Sequence, residues 1–161
     1  MKSRIPRIRQ ASSKCFLNSQ PPSISLPKKN ILLTVGGQES KSRFIGAAQT
    51  LAGLGYRIFA TEKTSAFLKE NGVRNTRLFK VHERRGPNIR DYIAGGRIDF
   101  VISIPNPGKR VESDSAYRLR RPTVDYSIPI LTNLQAADLF VQALAAKKPA
   151  DLAIKQWAEY Q

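Results

Sequence analysis

The stretch RIFATEKTSAFL, residues 57–68, sets Thr61, Lys63 and Thr64 where an extended run breaks into a helix. Residues of these types at such a junction form an anion site, because unpaired first-turn N–H groups, the helix dipole and the side-chain donors converge on one point. The same residues also suit an ordinary capped helix, with Thr64 or Ser65 as N-cap, and capping needs no ligand. The stretch alone favours the cap. Other reactive side chains are few: the sequence holds one histidine, His82, and one cysteine, Cys15. Metal-cluster chemistry therefore has no ligand set, and neither a metal nor a cofactor is expected. A lone cysteine has no internal disulfide partner, and with no secretory apolar segment this points to a reducing, cytoplasmic setting.

Charge sets the next constraint. A formal net charge of +15 over 161 residues calls for an acidic partner or ligand. Residues 1–29 hold seven of the 27 basic side chains and no Asp or Glu, and the remainder carries a net +8. MKSRIPRIRQASSK offers charge without interleaved aromatics, so residues 1–29 read as a disordered basic arm and Pro/Ser-rich linker. A nucleic-acid or organelle-targeting role for the arm comes second. No apolar run is long enough to span a bilayer, so no membrane partner is expected.

From Asn30 the elements that must position Thr61 and Thr64 become regular. ILLTVGG (31–37), YRIFA (56–60), TRLFKV (76–81), IDFVISI (98–104) and SIPILT (127–132) read as strands. Between and after them, residues 41–55, 64–72, 86–96, 113–125 and 134–148 read as helices, with glycine stops at Gly55, Gly72 and Gly95-Gly96 and Pro87 at a first helical position. In the last of these, Leu134, Ala137, Leu139, Phe140 and Leu144 fall broadly on one side, and residues 147–161 suggest one more helix that packs Leu152, Ile154, Trp157 and Tyr160. Alternation of this kind predicts an α/β fold with five parallel strands covered on both faces. Ligands in such sheets bind beyond the carboxyl ends of the strands, here Gly36-Gly37, Thr61-Glu62, Lys80-Val81, Ser103 to Asn106 and Thr132-Asn133.

The ordered segments ILLTV, KSRFIGAAQTLAGLGYRIFATEKTSAFL, KVHERRGPNIRDYIAGGRIDFVISIPNPG and YRLRRPTVDYSIPILTN, within residues 30–146, resemble the methylglyoxal-synthase-like domain. The resemblance is to the version that forms the C-terminal regulatory domain of the carbamoyl-phosphate synthetase large chain. Upstream, KCFLNSQPPSISLPKKN is similar to the segment joining that domain to the last ATP-using domain. What the resemblance implies is a five-stranded parallel sheet of flavodoxin-like type and an allosteric role in pyrimidine or arginine biosynthesis. The implied ligand is a small anionic effector, a nucleotide monophosphate or an acylated glutamate. The implied partner is the ATP-using body of such a large chain, and a homo-oligomer is left open. By position the resemblance puts Lys41, Thr61, Thr64, Lys80, Ser103, Asn106 and Ser115 at effector-contacting places. Lys80 is similar to the nucleotide-binding versions, whereas Asn106 and RRPTVDYSIPILTNLQAADLF are closer to the acylglutamate-responsive ones; Ser103 stands where the family often has Asn.

Two other function classes compete. Methylglyoxal synthase chemistry on dihydroxyacetone phosphate needs a carboxylate base over the phosphate site and a histidine beside it. The family place for the catalytic Asp falls at Gly86, with Asp91 a helical turn further on, and the place for the histidine falls near Glu112. His82 sits on a different loop, and only a shift of a few residues would bring Glu83 or Asp91 closer. The expectation is no catalytic residue and no synthase activity. The third class, a basic nucleic-acid-binding adaptor, rests on charge alone.

Overall fold

The structure is a computed structural model that describes residues 29–83, 85–106 and 110–146, the last stretch without the side chains of 110–115. Expectations for the basic arm up to residue 28, for the helix over 147–161 and for the Ser115 side chain lie outside the described residues. Strands β1 (Asn30–Val35), β2 (Arg57–Thr61), β3 (Thr76–Leu78), β4 (Phe100–Ile104) and β5 (Ile130–Leu131) alternate with helices α1 (Gln38–Gly53), α2 (Glu62–Glu70), α3 (Ile89–Ala94), α4 (Arg110–Asp125) and α5 (Leu134–Ala146). All strand pairs are parallel, in the order β3-β2-β1-β4-β5.

The five-stranded parallel sheet thus stands as expected, but its strand order is not that of flavodoxin, 2-1-3-4-5. Here β3 extends the free edge of β2, and the backbone must then cross back over β2 and β1 to lay down β4. The order therefore reverses between β1 and β4, and the crevice that binds ligands in open sheets opens there. At that point the Gly36 N–H donates to the Ile104 carbonyl at 2.7 Å.

Both sheet faces are dry, as the near-continuous apolar strands require. On one face Ile31, Leu33, Ile58 and Ile102 pack with Phe44, Ala48 and Leu51 of α1, Leu68 of α2 and Val141 of α5. On the other, Leu32, Leu78 and Val101 pack with Ile89 and Ile93 of α3 and Leu119 of α4. In α5 the buried positions are Ala137, Val141 and Leu144, whereas Leu139 is 65% exposed and belongs to the outer side. At the opposite end of the sheet, the Asp99 carboxylate accepts N–H bonds from Lys29 and Asn30 at 3.0 and 2.9 Å, fixing where β1 begins.

Several boundaries differ from expectation for local reasons. Helix α2 starts at Glu62, because Thr61 itself takes the extended N-cap conformation and no loop intervenes. Strand β3 stops at Leu78, because Lys80 to Glu83 turn and bring Pro87 back to accept from the Phe79 N–H at 2.8 Å. Pro87 precedes α3 instead of opening it, since Asn88 is the N-cap and accepts from the Arg90 N–H at 2.8 Å. Strand β5 is two residues long, limited by Pro129, which has no N–H to give the ladder. The stop of α1 falls at the expected glycine: Gly55 has φ 84°, and the Tyr56 N–H closes on the Leu51 carbonyl at 3.1 Å.

Candidate functional site

The carboxyl ends of β1, β2 and β4 enclose a cavity of about 270 Å³. Its base is Thr34 to Gly36 and Ser103 to Pro105, one wall is Lys80 to Glu83, and Ala116 and Leu119 of α4 close another. The first turn of α2, Glu62 to Thr64, faces in from β2. The first N–H groups of a helix lack partners within it, and the Thr61 side chain makes no capping bond to them. Thus the capping role expected of Thr64 or Ser65 is not what these residues do. Both lie inside α2, where Ser65 donates to the Asn75 Oδ1 at 2.6 Å.

Thr64 is 3% exposed and its hydroxyl is fully engaged. It donates to the Val35 carbonyl at 3.3 Å and accepts from the Val35 N–H at 3.1 Å and from the Thr61 hydroxyl at 3.4 Å. One proton and two lone pairs are all a threonine hydroxyl has. Thr64 therefore ties α2 to the end of β1, while Thr61 gives its one proton to a single long bond, for which an anion in the cavity would compete.

Among the described residues, the charges around the cavity are Glu62, Lys63, Lys80 and Glu83, with His82 beside them. Glu62 is bridged by Arg77 at 2.9 Å, which offsets its repulsion of an anion. The wall carrying Lys80, His82 and Glu83 is held by Asn88, whose amide donates to the Lys80 carbonyl at 2.9 Å and the Glu83 carbonyl at 2.6 Å. Asn88 is 8% exposed and was not among the expected site residues. The sequence places it inside a helix expected over 86–96, whereas it is the N-cap of α3.

Of the seven expected residues, Thr61, Thr64, Lys80 and Ser103 come together around the cavity. Lys41 and Asn106 stand outside its described lining. The Lys41 ammonium donates to the Lys63 carbonyl at 3.2 Å and lies 5.9 Å from the Phe67 ring centroid, and Asn106 lies against Gly37. Lys63, the lysine of the 61–64 junction, lines the cavity, and so do His82 and Glu83, which were not expected as effector contacts. Asp91, by contrast, is exposed on α3 and outside that lining.

The chain is an open α/β sheet with a polar crevice at its topological switch point and an uncapped helix start inside it, the place where sheets of this kind hold small ligands. Residues 43–132 match the MGS-like domain model, and the protein belongs to that family. The carbamoyl phosphate synthase large chain of Archaeoglobus fulgidus is 34% identical over 138 residues, 85% of this chain and 12% of that protein. In Aquifex aeolicus, the C-terminal section of the carbamoyl phosphate synthase large chain is 38% identical over 123 residues, 76% of this chain and 22% of its own length. Human mitochondrial carbamoyl-phosphate synthase [ammonia] is 38% identical over 130 residues, 78% of this chain and 8% of that protein. The sequence is therefore homologous to a small part of each of these much longer relatives. A methylglyoxal synthase from Elizabethkingia anophelis superposes with a TM-score of 0.53 at 20% identity, covering 82% of this chain and 89% of that one, which shows a shared fold. Among the described residues no helix is long and apolar enough to cross a membrane.

Proposed function

We propose that this domain is an allosteric module of the carbamoyl-phosphate synthase type, which binds a small anionic effector and acts on an ATP-using synthetase body in the cytoplasm. The observation that carries the reading is the uncapped start of α2, opening with Lys63 and Lys80 into the cavity at the switch point. Backbone N–H groups, the helix dipole and two ammonium groups suit a phosphate or carboxylate. The relatives, named as carbamoyl-phosphate synthases, support the setting, which is pyrimidine or arginine biosynthesis. Both a nucleotide monophosphate and an acylated glutamate meet the chemical requirement.

Thermal shift measurements with inorganic phosphate, nucleotide monophosphates and acylglutamates test this. A ligand at ~100 times its dissociation constant adds roughly 2.7 kcal/mol, a rise of about 5–10 °C for a domain of this size. Replacing Lys63→Gln together with Lys80→Gln is expected to remove most of the rise; an unchanged response places the anion elsewhere.

A second reading, methylglyoxal synthase, is favoured by one observation: Glu83 and His82 line the same cavity as the proposed anion site. It separates from the first by a coupled assay with dihydroxyacetone phosphate. The regulatory reading expects no methylglyoxal above background, whereas turnover abolished by Glu83→Gln would make the protein an enzyme.

A further inference from the structure

Helix α4 presents two different faces. Inward, Ala116, Leu119 and Thr123 are buried, and the first two line the cavity. Outward, at helical spacing, lie Tyr117, Arg120, Arg121 and Val124, with Arg118 beside them. Tyr117 is 68% exposed and Val124 67%, and Tyr126, just past the helix end, is 54% exposed. These are three of the five large hydrophobic side chains most exposed among the described residues, gathered within ten residues. All three arginines are exposed, and Asp125, held by Arg121 at 3.3 Å, is the single carboxylate among residues 116–126. Tyrosine and arginine are among the side chains that dominate protein–protein binding energy.

We infer that the outer face of α4 is a docking surface for a protein partner that presents clustered carboxylates. The inference rests on the proposed function, in which that partner is the ATP-using body. Charge selects the occupant. A second copy would set three arginines against three arginines on a protein of net charge +15. Nucleic acid would satisfy the arginines through its phosphates but leaves Val124 without an apolar partner. An acidic protein surface satisfies the arginines and buries Tyr117 and Val124. Because Ala116 and Leu119 touch the cavity from the same helix, a ligand there presses on the element that carries the docking face.

The test titrates the 161-residue chain into a carbamoyl-phosphate synthetase large chain whose own MGS-like domain has been removed, by sedimentation and anisotropy. Tyr117→Ser with Val124→Ser, and separately Arg118→Glu with Arg120→Glu, are expected to weaken binding about tenfold or more. A control, Arg57→Glu with Arg74→Glu, carries the same charge change at exposed positions elsewhere and is expected to stay within about twofold. All variants are checked for unchanged melting temperature and phosphate response, since none of these residues lines the cavity. Equal binding by parent and patch variants overturns the proposal, as does an equal loss in the control. Patch-dependent binding of a single-stranded oligonucleotide, or patch-dependent self-association, reassigns the surface and also overturns it. Absence of binding by the parent overturns the docking surface but not the anion site, which the phosphate response reads separately.

Discussion

Thr64 shows how a side chain of the right type can have a different task from the one its sequence neighbours suggest. Its hydroxyl bonds both backbone groups of Val35, 29 residues away. With valine in its place the shape survives, but the Val35 N–H and carbonyl lose a buried partner. Thr64→Val is therefore expected to lower stability by about 1–3 kcal/mol in urea unfolding, and Thr64→Ser, which keeps the hydroxyl, by clearly less. A valine variant as stable as the parent would contradict this account. The strand-to-helix junction at residues 61–64 was legible because it is local: strand end, helix start, hydroxyls and lysine all lie within one turn. The partners of Lys41 were not, since the Lys63 carbonyl is brought beside it only by packing α1 against α2. His82 and Glu83 were missed for the same reason, as their turn reaches the cavity through the tertiary bonds of Asn88.

Among the elements, α4 ends in a way that its sequence does not advertise. The Ile128 N–H closes on the Thr123 carbonyl at 2.8 Å and the Ser127 N–H on Val124 at 3.0 Å, with Ser127 at φ 54°. Where a helix ends in this left-handed conformation, glycine is the usual residue, because a Cβ is crowded there. Ser127→Gly is expected to raise stability by about 0.5–1 kcal/mol, read as a higher urea midpoint with unchanged slope. A lower midpoint would mean that the serine hydroxyl contributes more than its strain costs. Elements were legible wherever glycine or alternating apolar runs marked them, as at Gly55. They were misjudged where a turn consumed strand-like residues, as at Phe79 to Val81, or where proline removed a donor, as at Pro129. The parallel sheet followed from alternation, but its order did not, because nothing local records that β3 joins the outer edge of β2.

At the scale of the whole molecule, cavity and charge have to be read together. The protein spans a minor part of its relatives, 8% of the human protein and 22% of the Aquifex section, and under the proposed function an effector bound here acts on chemistry through another body. Such influence requires the ligand to bind the free and docked domain with different affinity, and the coupling is then the same in both directions. Helix α4 lines the cavity with Ala116 and Leu119 while exposing Tyr117 and Val124, and so connects the cavity with the proposed docking face. With 27 basic and 12 acidic side chains, association is also salt-dependent, so both titrations must share one ionic strength. The expected result is that a saturating amount of the large-chain body changes the dissociation constant of a nucleotide monophosphate or acylglutamate by about 5–150-fold, a coupling of roughly 1–3 kcal/mol. The same ligand at saturation must change the dissociation constant of the body by an equal factor. Calorimetric titration in both orders measures the two factors independently, and factors of one in both would reduce the domain to a ligand-binding unit without a regulatory connection.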